Sequence, residues 1–267
     1  MIKINNKIIE QNHFPDNTLL MKYDDCFNCE IFDIEWHYEN DSEIFTLYSI
    51  TQHIRRVFYK PTINLVMPYC PHARMDRVKN DEDVFTLKYF TEILNSLNFN
   101  QVEILDPHSP VCEALINNVF VTAPDYLIKK VLNELNVDLV FYPDEGAMKR
   151  YSNLCNMEYA FGIKKRDWKT GVIKGLDIAG PIDKINGSNI LIIDDICSKG
   201  GTFYHSAKAL KEAGAANIYL YITHCENTIF EGELLTSDLI SHIYTTNSIF
   251  TKEHEKITVL NVKEGEN

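Results

Sequence analysis

No apolar run in the 267 residues approaches the length of about 18 that a membrane-spanning helix requires, and no secretory leader pattern opens the chain, so a soluble, cytoplasmic protein with no membrane partner is expected. Positive charge is scarce. Lys and Arg number 26 against 38 Asp and Glu, a formal net charge of -12, which argues against nucleic acid as a partner. Any polyphosphate ligand must therefore be held by a local cluster of cations, helped by a divalent metal. A disulfide framework is lacking too. The seven cysteines, Cys26, Cys29, Cys70, Cys112, Cys155, Cys197 and Cys225, are odd in number and mostly scattered, as free thiols in a reducing compartment would be. Cys26 and Cys29 form a C-x-x-C without a second pair at metal spacing, so they read as ordinary thiols. There is no internal repeat and no low-complexity tract.

What is present suits a globular α/β protein. At 45% hydrophobic and 24% charged residues, the chain can bury a core as one large or two modest domains. Strand-like and helix-like segments alternate, the pattern of parallel sheets with helices on their faces. Strands are expected at 62–67, 102–105, 139–142, 159–163, 189–193 and 218–222. Helices are expected at 81–97, 124–135 and 202–213, the first carrying Val84, Leu87, Phe90, Leu94 and Leu97 on one stripe, with Asp81 and Glu82 suited to its N-terminal end. Two α/β halves, 1–120 and 121–267, would meet near Phe120. The charged stretch from Lys165 to Gly187 has weak periodicity and reads as either a loop or a hairpin.

The segment ILIIDDICSKGGT, Ile190 to Thr202, is the most informative. A buried-looking aliphatic run ends in Asp194 and Asp195, and a small Gly-rich turn then opens a helix. Two acids at a strand's carboxyl edge suit the 2- and 3-hydroxyls of a ribose. The loop through Ser198, Lys199, Gly200, Gly201 and Thr202 offers backbone N–H groups to its 5-phosphate. A second segment, VMPYCPHARMDR from Val66 to Arg77, follows another apolar run and gathers two arginines, an aspartate and a histidine.

Together these segments resemble the ribose-phosphate pyrophosphokinase family, the synthetases of phosphoribosyl pyrophosphate. Six motifs follow in the family's order from about Phe14 to Ile249. They are F-x-D at Phe14 to Asp16, P-Y-x-x-x-A-R-x-D-R at Pro68 to Arg77, D-x-H at Asp106 and His108, P-D-x-G at Pro143 to Gly146, K-x-R at Lys164 and Arg166, and the phosphoribosyl motif. The resemblance implies two type I phosphoribosyltransferase-like parallel-sheet domains, an N-terminal one for nucleotide and a C-terminal one for the ribose phosphate. The implied enzyme is an ATP-dependent, Mg²⁺-dependent pyrophosphokinase. Phe14, Asp16, Arg74, Asp76, Arg77 and His108 would bind ATP, with Phe14 and Asp16 reaching a neighbouring subunit's site, so a homo-oligomer, dimer or hexamer, is implied as well. His108 and Asp144 match metal-binding positions. Asp144, Glu145, Gly146, Ala147, Lys149 and Arg150 resemble the pyrophosphate loop. Lys164 and Arg166 match the cations that stabilise the transition state, although Lys165 and Lys169 stand near enough in sequence to take that place.

Several positions depart from the family pattern. F-x-D-G-E becomes Phe14-Pro15-Asp16-Asn17-Thr18, a glycine of the pyrophosphate loop becomes Ala147, and the phosphate loop's third acid becomes Ser198 followed by Lys199. The segments before Phe14 and after Ile249 are short for the family. Gain of a cation beside the 5-phosphate favours an acceptor with more phosphate than ribose 5-phosphate carries. The chain on these grounds looks like the branch that pyrophosphorylates ADP-ribose in phage NAD⁺ salvage, handing its product to a phosphoribosyltransferase-type partner. Ribose 5-phosphate is the alternative acceptor. A type I phosphoribosyltransferase shares Asp194 to Thr202 but has no use for Arg74 to Arg77, and a non-catalytic regulatory subunit would not need to keep Lys164, Arg166, His108 and Asp194.

Overall fold

The computed structural model describes residues 1–23, 30–166 and 173–263. Cys26, Cys29 and Lys169 lie outside them. The chain divides into two compact units, 1–123 and 124–267.

The first unit is built on a six-stranded sheet. Its strands are β1 (Ile2–Ile4), β2 (Lys7–Ile8), β5 (Ile31–Trp36), β6 (Thr62–Val66), β7 (Gln101–Leu105) and β8 (Val119–Thr122), while β3 (Asn12–His13) and β4 (Leu19–Leu20) form a separate hairpin. Spatial order is β2-β1-β5-β6-β7-β8. From β5 to β8 the strands run parallel, and β1 and β2 add an antiparallel edge. Helices α1 (Ser42–Val57), α2 (Thr86–Ser96) and α3 (Val111–Leu115) complete the unit. On α1 the buried Leu47, Ile50, Thr51 and Ile54 recur at helical spacing, as do Leu87, Phe90, Thr91 and Leu94 on α2.

Helix α2 starts five residues later than the periodicity predicts. Asp83 accepts hydrogen bonds from the Lys79 and Asn80 N–H groups, at 2.8 and 2.9 Å, and so closes a turn in place of the first helical residues. Asp81 and Glu82 lie in that turn and not at the helix's N-terminus.

The second unit contains α4 (Asp125–Glu134), β9 (Leu139–Tyr142), α5 (Glu145–Cys155), β10 (Tyr159–Arg166), β11 (Ile173–Ala179), β12 (Asn189–Cys197), α6 (Gly201–Glu212), β13 (Asn217–Cys225), β14 (His242–Thr246) and β15 (Ile257–Leu260). Its seven-stranded sheet has the order β11-β10-β9-β12-β13-β14-β15, parallel except for β11. Ile190, Leu191, Ile192 and Ile193 are all fully buried, as expected of a central strand covered on both faces. Of the stretch that starts at Lys165, the described residues up to Ala179 are paired as hairpin arms, β10 with β11 from Phe161 with Ala179 to Arg166 with Ile173.

Strand β12 does not end at Ile193. It continues through both acids to Cys197 because β13 supplies pairing partners as far as Cys225. Asp194 and Asp195 are consequently the fourth- and third-last residues of a strand, pointing to opposite faces of its sheet.

Candidate active site

In the first unit Arg74, Asp76, Arg77 and His108 lie on the loops that follow β6 and β7, at the carboxyl edge of the parallel strands, the edge where open α/β sheets bind ligands. Pairing continues slightly past β6, through hydrogen bonds from Met67 to Glu103 and from Leu105 to Pro68. Beyond it, the buried Cys70 and Ala73 anchor the loop while Arg74 and Arg77 are exposed. Asp76 joins this loop to the one after β7. Its carboxylate accepts from Arg77 Nε and Nη2, at 2.6 and 2.8 Å, and from Ser109 Oγ at 2.6 Å. Ser109 Oγ in turn accepts from the Val111 N–H at the start of α3. Asp76 thus positions the loop from within.

His108 is exposed on that second loop, close behind Asp106, which is buried with a φ of +42° and donates its N–H to Thr122. A non-glycine residue held there stores local strain. Phe14 and Asp16 stand apart from these loops, on the tip of the β3–β4 hairpin. The turn is closed by Phe14 and Thr18 and by the Asp16 carboxylate, which accepts from the Thr18 N–H and Oγ. These two bonds lower the Asp16 pKa. Phe14 is 50% exposed.

In the second unit Asp144 follows β9 and caps α5, its Oδ1 accepting from the Gly146 and Ala147 N–H groups at 3.0 and 3.1 Å. These two N–H groups therefore already have an acceptor. Glu145 and Lys149 pair along the helix surface at 3.0 Å. Arg150 reaches across to β12, where Nη1 meets Asp195 Oδ2 at 2.8 Å, and Asp195 is buried. Burial pushes the Asp194 carboxyl well above the usual carboxylate range, and the neighbouring charges of Asp195 and Asp144 push the same way.

Past β12, Gly200 stands at the cap position before α6 with a φ of +81°, a conformation that disfavours a side chain, and provides no capping group of its own. The first-turn N–H groups of α6 have no side-chain cap from Gly200 and are donors of the kind that suit an anion. Lys199 forms an exposed ion pair with Glu231 at 2.9 Å.

Lys164 and Arg166 lie on β10, in the arm of the β10–β11 hairpin. Residues missing from the sequence reading are Ser109, Glu231 and Gly232. A Cβ at Gly232 would lie 1.8 Å from the Lys199 carbonyl oxygen, so this glycine lets the segment after β13 press against the phosphate loop. None of the three carries a local motif. They could be found only from the pairing of distant loops.

Among the described residues, no group of three or more His, Cys, Asp or Glu side chains is arranged to hold a metal ion. No helix among them is long and apolar enough to cross a membrane.

Parallel α/β units of this kind, with an acid pair leading into a Gly-opened helix, define a phosphoribosyltransferase-type fold. The same fold is seen in phosphoribosylpyrophosphate synthetase from Mycobacterium smegmatis, with a TM-score of 0.78 over 96% of this chain and 86% of that one, at 17% identity. No family model matches the chain. Similarity to individual proteins is extensive, however. It is 29% identical over 215 residues to a ribose-phosphate pyrophosphokinase of Pyrococcus abyssi, covering 76% of this chain and 72% of that protein. It is 27% identical over 254 residues to the enzyme of the same name from Thermoplasma acidophilum, covering 90% and 86%. Over most of its length the chain is therefore similar to ribose-phosphate pyrophosphokinases.

Proposed function

We propose that the chain transfers the β,γ-pyrophosphoryl group of ATP to the anomeric hydroxyl of a ribose 5-phosphate moiety, releasing AMP. The observation that carries this reading is the Gly200 cap of α6 shortly after the Asp194–Asp195 pair, in a chain similar to ribose-phosphate pyrophosphokinases that also has the Arg74 to Arg77 loop. The acids would hold the ribose hydroxyls and the helix start the 5-phosphate. Arg74, Arg77 and His108, with Phe14 and Asp16, would hold ATP, while Asp76 fixes the loop. The anomeric oxygen attacks the β-phosphorus, the bond from that phosphorus to the α,β-bridging oxygen breaks, and AMP leaves with the bridging oxygen as the hydroxyl proton is lost. Charge then accumulates on the transferring oxygens, where Lys164 and Arg166 are proposed to act.

Mg²⁺ fits the residues present. Burial and, after it, the charges of Asp195 and Asp144 raise the Asp194 carboxyl, and a cation beside these acids would offset that repulsion. A hard dication held by only one or two protein groups, Asp144 or His108 among them, completes its shell with water and phosphate oxygens, which agrees with the lack of a three-ligand cluster among the described residues. When bound it would supply charge neutralisation at the phosphates.

For the acceptor we favour ADP-ribose, on account of Lys199 and Ser198 beside the 5-phosphate loop. Because the Lys199–Glu231 pair is exposed, it is weak enough for a phosphate to displace. Transfer to ADP-ribose would give ADP-ribose pyrophosphate, for a transferase of NAD⁺ salvage to consume. Ribose 5-phosphate is the second reading, favoured by the names of the relatives. A homo-oligomer in the cytosol belongs to the same proposal. The test is AMP release from ATP and Mg²⁺ with each acceptor supplied separately and the products identified by mass. Faster release with ADP-ribose supports that acceptor, and equal or faster release with ribose 5-phosphate rejects it. Release with neither removes the pyrophosphokinase reading.

A further inference from the structure

Two segments of the second unit that no motif marks come together beside the phosphate loop. One is 226–234, following β13, and the other is 250–254, preceding β15. They are fastened by a reciprocal pair of hydrogen bonds, from Asn227 Nδ2 to Thr251 Oγ1 at 2.9 Å and from the Thr251 N–H to Asn227 Oδ1 at 3.2 Å. Phe230 stacks on the buried Phe250, with centroids 6.2 Å apart and planes 12° from parallel. It remains 37% exposed, with His254 edge-on at 5.8 Å and Lys252 Nζ over its ring at 4.9 Å.

The same wall adjoins the phosphate loop directly. Glu231 takes the Lys199 ammonium, Gly232 abuts the Lys199 carbonyl, Leu234 packs against Gly200, and the Glu226 N–H donates to Cys197 at 2.8 Å. Two lysines and a supported aromatic ring are thereby grouped next to the 5-phosphate position, in a chain whose net charge is -12. Local cations of this kind in an acidic protein are suited to an anion, and a ring backed on one face and partly open suits a nucleobase.

We propose that Phe230, Lys252 and Lys199 form the subsite for the part of the acceptor beyond its 5-phosphate, namely the second phosphate and the base of a nucleoside diphosphate-ribose. The inference rests on the acceptor reading given above and assigns residues to it. Phe230 provides the stacking surface. Lys199 exchanges its exposed partner Glu231 for the second phosphate, and Lys252 leaves the Phe230 ring to join it as the base takes that position. Glu231, 58% exposed, is the partner of Lys199, so the exchange leaves it facing solvent.

The experiment is direct binding by titration calorimetry of ADP-ribose and of ribose 5-phosphate to the full chain, wild type, Phe230→Leu and Lys252→Gln. The expected result is a fall of about tenfold in the ratio of ADP-ribose to ribose 5-phosphate affinity for each variant. Wild-type preference for ADP-ribose that survives in both variants overturns the subsite and leaves the acceptor reading standing. Wild-type binding with no preference for ADP-ribose overturns the acceptor reading, and the subsite with it. Phe230 packs on a buried ring and its replacement can unsettle the fold. Lys252 lies on the surface, so its variant decides the matter if the other does not fold.

Discussion

Asp76 accepts three side-chain hydrogen bonds, and the two from Arg77 are the main reason its carboxyl is lowered to about 2, with Ser109 adding to them. For a carboxyl whose folded value lies below its unfolded one, the associated stability is present above about pH 4 and is lost as pH falls towards 2. Asp76→Asn should therefore cost about 1 to 2 kcal/mol at pH 7, after allowance for the exposure of Arg77, and almost nothing near pH 2. Urea denaturation at the two pH values measures it, and an equal cost at both would mean that the ionised form is not what holds the loop. Asp194 has the opposite sign. Its raised value means that the unfolded chain ionises first, so stability falls as pH rises from about 4 towards the folded value. Asp194→Asn should be the more stable protein at neutral pH, by about 1 kcal/mol, while losing acceptor binding. A variant that is both less stable and inactive would show that Asp194 is held by favourable contacts and not strained by burial beside two acids.

At the scale of elements, the phosphate loop is held in place by a neighbour as well as by its own sequence. Gly232 is that neighbour's point of closest approach, and its Cβ would meet main chain, not a side chain able to swing away. Gly232→Ala should accordingly destabilise the fold by about 1 to 3 kcal/mol and raise the acceptor KM more than the ATP KM. An unchanged acceptor KM would assign the contact to stability alone. The parallel core was legible in the sequence because strands covered on both faces read as apolar runs, as at Leu139–Tyr142 and Ile190–Ile193. The last turn of β12 was not legible. Asp194 and Asp195 end the hydrophobic pattern, and only backbone pairing with β13 as far as Cys225 carries the strand onward. The short strands before β5 are two or three residues long, too short for any periodicity to register. The Gly-rich residues from Ser198 to Thr202 announced the turn into α6, whereas the wall built from Phe230, Glu231 and Gly232 has no spacing that ties it to Lys199. For Asp76, the motif placed the residue but did not reveal that Ser109 and Arg77 are its partners.

For the whole molecule, the charge balance decides how a nucleotide triphosphate can approach. A chain of net charge -12 repels an uncomplexed triphosphate at long range, and the acids gathered around Asp194 add to this locally. Under the proposed function, complexation with Mg²⁺ would remove two of the nucleotide's charges before it arrives, so the metal's first role would fall on the substrate. Chelation by EDTA should then abolish AMP release while leaving the thermal unfolding midpoint within about 2 °C of its value in Mg²⁺, a smaller change than loss of a structural metal would produce. At fixed total ATP, the rate should follow the concentration of the Mg²⁺ complex, and excess uncomplexed ATP should slow it. A large drop in the midpoint on chelation would instead point to a resident ion that helps to hold the protein together, and would move the metal from the substrate to the fold.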